Sequence, residues 1–254
     1  MTSYENLTDR TALITGAASG MGEAIARLLG ASGARVALLS RRADRLTTLA
    51  DKIIADGGRA LAVPADLTDS ASVDAAAARV RAEFGPVDLV VNNAGVMLPN
   101  PITDGREDQW QRMIDTNLVG ALRVIRTFVP DLVESARAGR TADLVDISSI
   151  GAHMVFPNYA VYSATKAALT HLSASLRSEL GPQDVRVTNI EPGATQTELT
   201  DHLDSAEMVA QLDALFTTTG LLSAEEIADV VGYVTSRPRH VNLRQIVVLP
   251  TRQA

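Results

Sequence analysis

Cysteine is absent from this 254-residue chain, and lysine occurs only twice, as Lys52 and Lys166. Without cysteine, the protein has no disulfide framework, no thiolate metal site and no cysteine nucleophile. No apolar run approaches the roughly 18 residues that a membrane-spanning helix needs. The opening stretch MTSYENLTDR lacks the apolar segment of a signal peptide. These absences favour a soluble, cytoplasmic protein.

An excess of positive charge is also lacking. The formal net charge is −7, and the chain has no block rich in lysine and arginine, which argues against nucleic acid or an anionic membrane as the main partner. The four histidines are not clustered, so we expect no metal site. No linker or shift in composition divides a chain that is long enough to bury a core. We therefore expect one domain over residues 1–254.

Short apolar runs alternate with longer stretches of helical periodicity. The runs do not alternate polar with apolar residues, which is typical of parallel strands buried on both faces. Strands that alternate with helices indicate βαβ units. The pattern predicts a single α/β domain with a doubly wound, seven-stranded parallel sheet and helices on both faces. The predicted strands are 11–16, 35–40, 60–64, 87–93, 142–149, 185–192 and 245–250, and the predicted helices include 19–32, 43–55, 70–84, 107–136 and 159–180.

A glycine-rich stretch, TGAASGMG at 15–22, follows the first strand. Glycine permits a sharp turn and the close approach of a ligand, and the helix N-terminus behind the loop attracts a pyrophosphate. The spacing is GxxxGxG rather than GxGxxG, and a capping turn with glycines for packing is the alternative. The position between a buried strand and a helix favours a dinucleotide. The expected contacts are Gly16, Ser19, Gly20, Met21 and Gly22.

The second strand ends with Ser40-Arg41-Arg42. A carboxylate at this position accepts a hydrogen bond from the ribose 2′-hydroxyl of NAD, and it would repel the 2′-phosphate of NADP. Arginine instead offers a planar fork of donors to that phosphate. The pattern therefore predicts NADP as the cofactor, with Ser40, Arg41 and Arg42 near the phosphate. Solvated arginines at a helix start are the alternative.

Two further polar stretches follow strands. Asp66-Leu67 comes after the third strand, where the carboxylate could accept a hydrogen bond from the adenine amino group, although capping of the next helix is an alternative. NNAG at 92–95 follows the fourth strand. Its amides can tie neighbouring strand ends together, and its small residues leave room for a cofactor against the backbone. We expect cofactor contacts from Asp66, Leu67, Asn93, Ala94 and Gly95.

The sharpest chemical signal is Tyr162 followed four residues later by Lys166, because this spacing puts both side chains on one helical face. A free tyrosine has a pKa near ~10 and is a poor base at neutral pH. A nearby ammonium, with an oxidised nicotinamide ring, favours the phenolate and lowers that pKa. With four tyrosines and two lysines in the chain, chance gives this spacing about 3% of the time. Tyr162 is therefore predicted to exchange a proton while hydride moves at the adjacent carbon.

Two polar residues could assist this pair. Ser149 ends the fifth strand and could hold the substrate oxygen, with Ser148 as its competitor because successive strand residues face opposite ways. Asn117 lies in a predicted helix although asparagine is a weak helix former. It could belong to a water-linked proton relay from Lys166, or it could be a buried amide bonded to the backbone.

The stretch PGATQT at 192–197 follows the sixth strand. It could cover the nicotinamide, and a Pro-Gly turn that opens a helix is the alternative. We expect a substrate lid over about 194–220 after this strand. The expected cofactor contacts are Pro192, Gly193, Thr195 and Thr197.

In this order the motifs resemble the short-chain dehydrogenase/reductase family, over essentially the whole chain. The matching pieces are TGAASGMG, Arg41, Asp66-Leu67, NNAG, Asn117, Ser149, YSATK and PGATQT. The resemblance implies a single Rossmann domain that transfers hydride between NAD(P)H and a carbonyl/alcohol pair. It implies Tyr162 as acid/base and Lys166 as the partner that lowers its pKa and binds the ribose. It also implies that Ser149 orients the substrate, that Asn117 completes the relay, and that the protein is a homotetramer or a dimer.

The C-terminal tail departs from the family pattern. Many members carry Asp-Gly-Gly after the last strand, whereas this chain ends RQIVVLPTRQA. The tail, with RVTNIEPGATQTEL, is similar to an NADP-dependent subgroup that contains 3-hydroxy acid (serine-type) dehydrogenases and clavulanic acid dehydrogenase. This subgroup spans several substrate classes.

The substrate-facing segments suggest a neutral substrate. The stretch IGAHMVFP at 150–157 is mostly apolar, and 196–220 carries acidic residues such as Glu198 but no lysine or arginine. Since a substrate carboxylate needs a basic partner, we expect a neutral, partly apolar carbonyl compound. Acids that face solvent, or a contribution from Arg106 or Arg112, are the alternatives. The expected substrate contacts are Ser149, His153, Met154, Val155 and Tyr162.

Two other functions fit the same pattern. The protein could be a tailoring ketoreductase of a natural-product pathway, which keeps the chemistry and changes the setting. It could also be a non-catalytic sensor of NADP(H), since a fold alone does not establish a function. A sensor could dispense with Ser149, Tyr162 or Lys166, and all three are present.

Overall fold

The computed structural model describes Tyr4 and residues 7–198 and 206–253, apart from the side chains at 206–208, 211 and 215. It confirms the predicted α/β fold, with seven strands in the order β3-β2-β1-β4-β5-β6-β7 and parallel pairing throughout. The strands are β1 (Thr11–Thr15), β2 (Arg35–Ser40), β3 (Arg59–Pro64), β4 (Leu89–Asn92), β5 (Ala142–Ile147), β6 (Val185–Pro192) and β7 (Gln245–Val248).

Eight α-helices connect or follow the described strands. They are α1 (Gly20–Ala31), α2 (Ala43–Ala55), α3 (Ser70–Phe84), α4 (Glu107–Ile114), α5 (Gly120–Arg137), α6 (Ala160–Leu180), α7 (Ala206–Thr219) and α8 (Ala224–Thr235). In the described part of the chain, none of them is both long enough and apolar enough to cross a membrane.

The sheet separates two hydrophobic cores. Successive strand residues enter opposite cores, as Leu13 and Ile14 of β1 do, because side chains alternate across a strand. One core contains residues of α1, α2 and α8, and the other contains residues of α3, α5 and α6. This two-sided cover explains why the strands read as continuous apolar runs.

The chain changes direction across the sheet between β1 and β4. β2 and β3 extend the sheet on one side of β1, and β4 to β7 extend it on the other. The carboxyl ends of β1 and β4 are therefore neighbours from which the connections run apart, and such a switch point opens a crevice for a ligand.

The predicted helix over 107–136 is interrupted. α4 and α5 are separated by a π-helical segment, Asp115–Val119, which contains Asn117. Single π-turns inside helices often mark functional positions. The interruption brings Asn117, which is buried, towards the carboxyl ends of the strands.

Candidate active site

The glycine-rich loop after β1 packs backbone against backbone on the NNAG turn after β4. Gly16 has a φ of +67°, and a Cβ atom there would lie 2.9 Å from the Cα of Ala94. A Cβ on Gly22 would collide with the carbonyl oxygen of Gly16. The Asn93 amide ties the two turns together, because its Nδ2 donates to the carbonyl oxygen of Thr15 at 3.0 Å. Gly16 and Gly22 therefore allow the two turns to pack closely, and a side chain at either position would separate them.

A cavity of about 150 Å³ runs from this loop to α6. It has arginine at one end and the Tyr162–Lys166 pair at the other. Of the predicted cofactor residues, those that line it are Gly16, Ser19, Gly20, Met21, Arg42, Asn93, Gly95, Tyr162, Lys166 and Thr197. The lining also includes Val96, Ile147, Ser148 and Glu198, which were not predicted to contact the cofactor.

The arginine end of this cavity holds a carboxylate as well. Arg42 donates through Nη2 to the Ser19 hydroxyl and through Nη1 to Oε2 of Glu198 at 2.8 Å. Nη1 of Arg45 donates to both carboxylate oxygens of Glu198 at 2.7 Å. The hydrogen bonds from Arg42 and Arg45 lower the pKa of Glu198 to about 2, so Glu198 is an anion at any working pH.

Arg41 and Asp66 lie outside the lining of this cavity, as do Ser40 and Leu67. The Asp66 carboxylate accepts hydrogen bonds from the backbone N–H and hydroxyl of Thr68 at 2.9 and 2.8 Å. The backbone hydrogen bond from Thr68 is the main cause of its lowered pKa. Asp69 caps α3 by accepting from the backbone N–H of Ala71. Asp66 is thus not the cap of that helix.

Tyr162 and Lys166 share one face of α6 and are 7% and 5% exposed. The Lys166 ammonium lies 5.9 Å from the centre of the Tyr162 ring and donates to the carbonyl oxygen of Ile147 at 2.9 Å. Burial lowers the pKa of Lys166 to about 8 against the attraction of Asp146. The ammonium is therefore poised to release its proton just above neutral pH.

The surroundings that the protein itself provides raise the pKa of Tyr162, and its lowering by Lys166 together with an oxidised nicotinamide ring stays a prediction. Burial raises it, and a hydrogen bond with Ser149 only partly opposes that rise. The Lys166 ammonium donates to the carbonyl oxygen of Ile147 rather than to the phenol. Tyr162 therefore keeps its proton at neutral pH.

The two serines at the end of β5 point to different partners. Ser149 bonds to Tyr162 and accepts from the backbone N–H of Gly151 at 3.0 Å. Ser148 donates to the backbone carbonyl oxygen of Lys166 at 2.9 Å. Ser149 is thus the serine that contacts the phenol.

Asn117 is bonded to the backbone, which was one of its two interpretations. Its Oδ1 accepts from the N–H of Val96 at 2.8 Å, and its Nδ2 donates to the carbonyl oxygen of Val96 at 2.9 Å and to the hydroxyl of Thr165 at 3.1 Å. The amide thereby joins the segment after β4 to α6. A Cβ on Gly95 would lie 3.3 Å from Oδ1 of Asn117 and 3.6 Å from Nζ of Lys166.

A second cavity, of about 250 Å³, adjoins the first. The two cavities share Met21, Ser148, Tyr162 and Thr197. The second cavity also receives Ser149 and the predicted residues Pro192, Gly193 and Thr195. Its apolar lining comes mainly from Met97, Ile150, Phe156, Pro157, Leu212 and Phe216. Tyr162 thus stands between a polar cavity and an apolar one.

Three predicted substrate contacts lie outside this second cavity. His153 turns away, with its Nε2 2.9 Å from each carboxylate oxygen of the buried Glu191. Val155 is 94% exposed and Met154 is 38% exposed. Phe156 of the same stretch lines this cavity, and the substrate contacts of His153, Met154 and Val155 stay a prediction.

Tyr159 and Gln253 line the apolar cavity without having been predicted. Tyr159 lies one helical turn before Tyr162, and this spacing was the available signal. Its buried hydroxyl has no hydrogen-bond partner among the described residues, and burial, with repulsion from Tyr162, raises its pKa to about 12. Gln253 accepts from the backbone N–H of Ala194 at 2.7 Å, a contact that nothing in the sequence indicates.

The predicted lid over 194–220 is described only in part. Asp201, His202 and Asp204 lie outside the described residues. Leu212 and Phe216 of α7 reach the apolar cavity. The described residues contain no group of three or more acidic or histidine side chains arranged to hold a metal ion.

A family model described as short chain dehydrogenase matches residues 10–208. The chain belongs to this family. It is 36% identical over 244 residues to an uncharacterized oxidoreductase of Staphylococcus aureus, covering 96% of this chain and 98% of that one. The structure superposes on serine dehydrogenase in its closed form with NADP+, with a TM-score of 0.88, 30% identity and 96% of each chain covered. It superposes on a 3-ketoacyl-(acyl-carrier-protein) reductase of Brucella melitensis with NADH, with a TM-score of 0.87, 29% identity, and 98% and 100% covered.

The short-chain dehydrogenase is thus an oxidoreductase of a family that uses a nicotinamide cofactor, and the first cavity fits such a group. The loop around Gly16 and Gly22 has no room for a side chain. Arginine at one end suits phosphate, and the buried phenol and ammonium at the other end suit hydride chemistry at a ring. The fit rests on these features and not on the relatives alone.

Proposed function

We propose that the protein is an NADP(H)-dependent oxidoreductase that interconverts a carbonyl and an alcohol, with Tyr162 as the acid/base. The observation that carries the proposal is the position of Tyr162, which lines both the polar and the apolar cavity. A group there can meet the substrate oxygen on one side and a nicotinamide on the other.

Tyr162 is set up as a proton donor. Its pKa is raised by burial, so the phenol is protonated at neutral pH and can give its proton to a carbonyl oxygen as hydride reaches the carbonyl carbon. The bound nicotinamide supplies that hydride, or accepts it in the reverse reaction. Ser149 bonds to the same phenol and can hold the substrate oxygen beside it.

Lys166 stabilises the phenolate that remains. An ammonium within 5.9 Å of the ring favours the negative charge on the phenol oxygen once the proton has left. We assign Asn117 a positioning role, because its amide joins Val96 to Thr165, the residue that directly precedes Lys166. It would act through Lys166 rather than on the substrate.

Arg42 and Ser19 support NADP over NAD. Both line the cavity at the end remote from Tyr162, and their side chains are in contact. An arginine at this place offers donors to a 2′-phosphate, and no carboxylate from the end of β2 opposes it. The serine dehydrogenase relative contains NADP+ and the ketoacyl reductase relative contains NADH. The preference for NADP is therefore proposed from Arg42 and Ser19 and not from these relatives.

The apolar cavity supports a neutral, partly apolar substrate. No lysine or arginine occurs among the described residues that line it. The lining includes two methionines, two phenylalanines, an isoleucine and a leucine, and a substrate carboxylate would be left without a charged partner there. Despite the similarity to serine dehydrogenase, we favour neutral ketones and aldehydes over small 3-hydroxy acids.

The test is the loss of nicotinamide absorbance with NADPH, and in parallel with NADH, over neutral aldehydes, ketones, diketones and 3-oxo acids. We expect turnover of neutral carbonyls with NADPH. Tyr162→Phe should lower kcat by about 10²- to 10⁴-fold, the usual contribution of a positioned acid/base, and should retain NADPH binding. Tyr233→Phe, at an exposed tyrosine, is the matched control and should change nothing.

Three outcomes would count against the proposal. Unchanged turnover in Tyr162→Phe would contradict the mechanism. Faster turnover of 3-oxo acids than of neutral carbonyls would contradict the substrate class. Binding of NADPH without turnover of any compound would favour the sensor.

A further inference from the structure

Glu198 sits where the 2′-phosphate of NADP(H) is expected. It directly follows Thr197, which lines both cavities. Its carboxylate accepts from Arg42 at 2.8 Å and from Arg45 at 2.7 Å. Arg42 also donates to Ser19, so both terminal nitrogens of this arginine are engaged.

A carboxylate and a phosphate are alternative ligands for the same donors. Both are compact anions whose oxygens accept paired hydrogen bonds from a guanidinium. With Nη1 of Arg42 on Glu198 and Nη2 on Ser19, a phosphate that takes the fork of these two nitrogens competes with both partners. The carboxylate, which carries the opposite charge to Arg42, is the stronger competitor of the two.

The carboxylate can be displaced at low energetic cost. The Glu198 side chain is 42% exposed, and those of Arg42 and Arg45 are 42% and 53% exposed. Ion pairs at this exposure are weak because water solvates the separated charges well. Glu198 also stays ionised, since its two arginines lower its pKa to about 2.

We infer that Glu198 is a built-in competitor of the 2′-phosphate for Arg42 and Arg45, and that binding of NADP(H) releases its carboxylate. The inference rests on the proposed NADP preference and deepens it. Glu198 then lowers the affinity for NADP(H) without changing the affinity for NAD(H). It also links cofactor binding to the turn that carries Thr195 and Thr197 along the apolar cavity.

The test uses two nucleotides that differ only in the 2′-phosphate. Calorimetric titration compares adenosine 2′,5′-bisphosphate with 5′-AMP on the wild type and on Glu198→Gln. We expect the variant to bind the bisphosphate about fivefold more tightly, the scale of an exposed ion pair, and to bind 5′-AMP as the wild type does. Asp74→Asn is the matched control, because Asp74 forms an exposed ion pair with Arg126 at 2.6 Å outside the cavity lining.

A second arm tests whether the effect passes through Arg42. In an Arg42→Ala background, Glu198→Gln should gain clearly less than fivefold, because one of the two arginines that Glu198 and the phosphate share is gone. Unchanged or weaker binding of the bisphosphate by Glu198→Gln would overturn the inference, and weaker binding would make Glu198 a clamp over the bound nucleotide. If the wild type binds the bisphosphate no better than 5′-AMP, the NADP preference itself has failed, and the inference fails with it.

Discussion

Charged side chains are buried both where the amino ends of the parallel strands meet (the amino edge) and where their carboxyl ends meet (the carboxyl edge). The partners of these charges differ between the two edges. At the amino edge, Arg10 contacts Asp88 at 2.5 Å and Asp143 at 2.9 Å, and Arg186 contacts the same Asp143 at 2.7 Å. All four side chains are buried. Each charge there has an opposite charge in contact.

At the carboxyl edge the buried Lys166 has a carbonyl oxygen as its hydrogen-bond partner. No carboxylate of the described residues lies within ion-pair distance of its ammonium. The hydroxyls of Tyr159 and Ser163 and the Oδ1 of Asn93 are buried without partners in the part of the chain that the structure describes. Because Nη1 of Arg10 and Oγ1 of Thr11 at the amino edge are also buried without partners among the described residues, the two edges differ in how their buried charges are paired and not in their unpartnered polar atoms.

The difference separates stability from chemistry. Paired charges hold strands β1, β4, β5 and β6 together at one edge, whereas a single ammonium at the other edge has its pKa lowered to about 8 by burial. A fully compensated ammonium would keep its ordinary pKa and would respond little to a neighbouring phenol. The proposed chemistry at the carboxyl edge thus depends on an ammonium that has no carboxylate in contact among the described residues.

Removing a buried carboxylate at the amino edge should have the largest effect on stability. Asp143→Asn removes the carboxylate that Arg10 and Arg186 share, leaving buried positive charge underpaired. We expect the free energy of unfolding to fall by about 3–5 kcal/mol, measured by urea denaturation. Asp74→Asn, which breaks an exposed pair, should cost under about 1 kcal/mol. A loss in Asp143→Asn no larger than in this control would refute the contrast.

The pH dependence of stability sharpens the contrast at the carboxyl edge. The folded pKa of Lys166, about 8, lies below its unfolded value of 10.5. Between these pH values the unfolded chain holds a proton that the folded chain has released, so the free energy of unfolding rises with pH. Relative to Lys166→Met, the wild type should gain about 2 kcal/mol between pH 7.5 and 9.5. If the free energy of unfolding changed with pH in the same way for both proteins, burial would not lower the pKa of Lys166.

Arg42 and Arg41 offer a smaller test within one turn. Arg42 lines the nucleotide cavity and Arg41 does not. Arg42→Ala should therefore raise the KM for NADPH about tenfold and leave that for NADH nearly unchanged, whereas Arg41→Ala should have the lesser effect. Steady-state kinetics with both cofactors give the comparison. A larger effect from Arg41→Ala would indicate that Arg41, and not Arg42, binds the 2′-phosphate.

The sequence predicted the sheet well because its strands are buried on both faces. It also predicted that Tyr162 and Lys166 lie on one face of a helix, because their spacing requires it. It did not predict the π-helical interruption at Asn117, nor the hydrogen bonds of this residue with Val96, 21 residues away. Nor did it predict that Glu198 meets Arg42, because the two are 156 residues apart. These features arise from tertiary contacts that no local pattern records.

Adjacent residues were the hardest to assign. The sequence analysis named both Arg41 and Arg42, and it named Val155 but not Phe156, because a loop does not fix which side chain turns inward. His153 was expected near the substrate, and the structure places it on Glu191 instead. Periodicity resolves direction in strands and helices, but not in the turns that carry much of this site.

The most direct test of the account measures stability and turnover together in Lys166→Met and Asp143→Asn at pH 7. We predict that Lys166→Met loses turnover while its free energy of unfolding equals or exceeds that of the wild type, because a poorly compensated buried charge has been removed. Asp143→Asn should lose stability and, while still folded, retain turnover. If Lys166→Met instead lost stability and kept its turnover, the division between the two edges of the sheet would be contradicted.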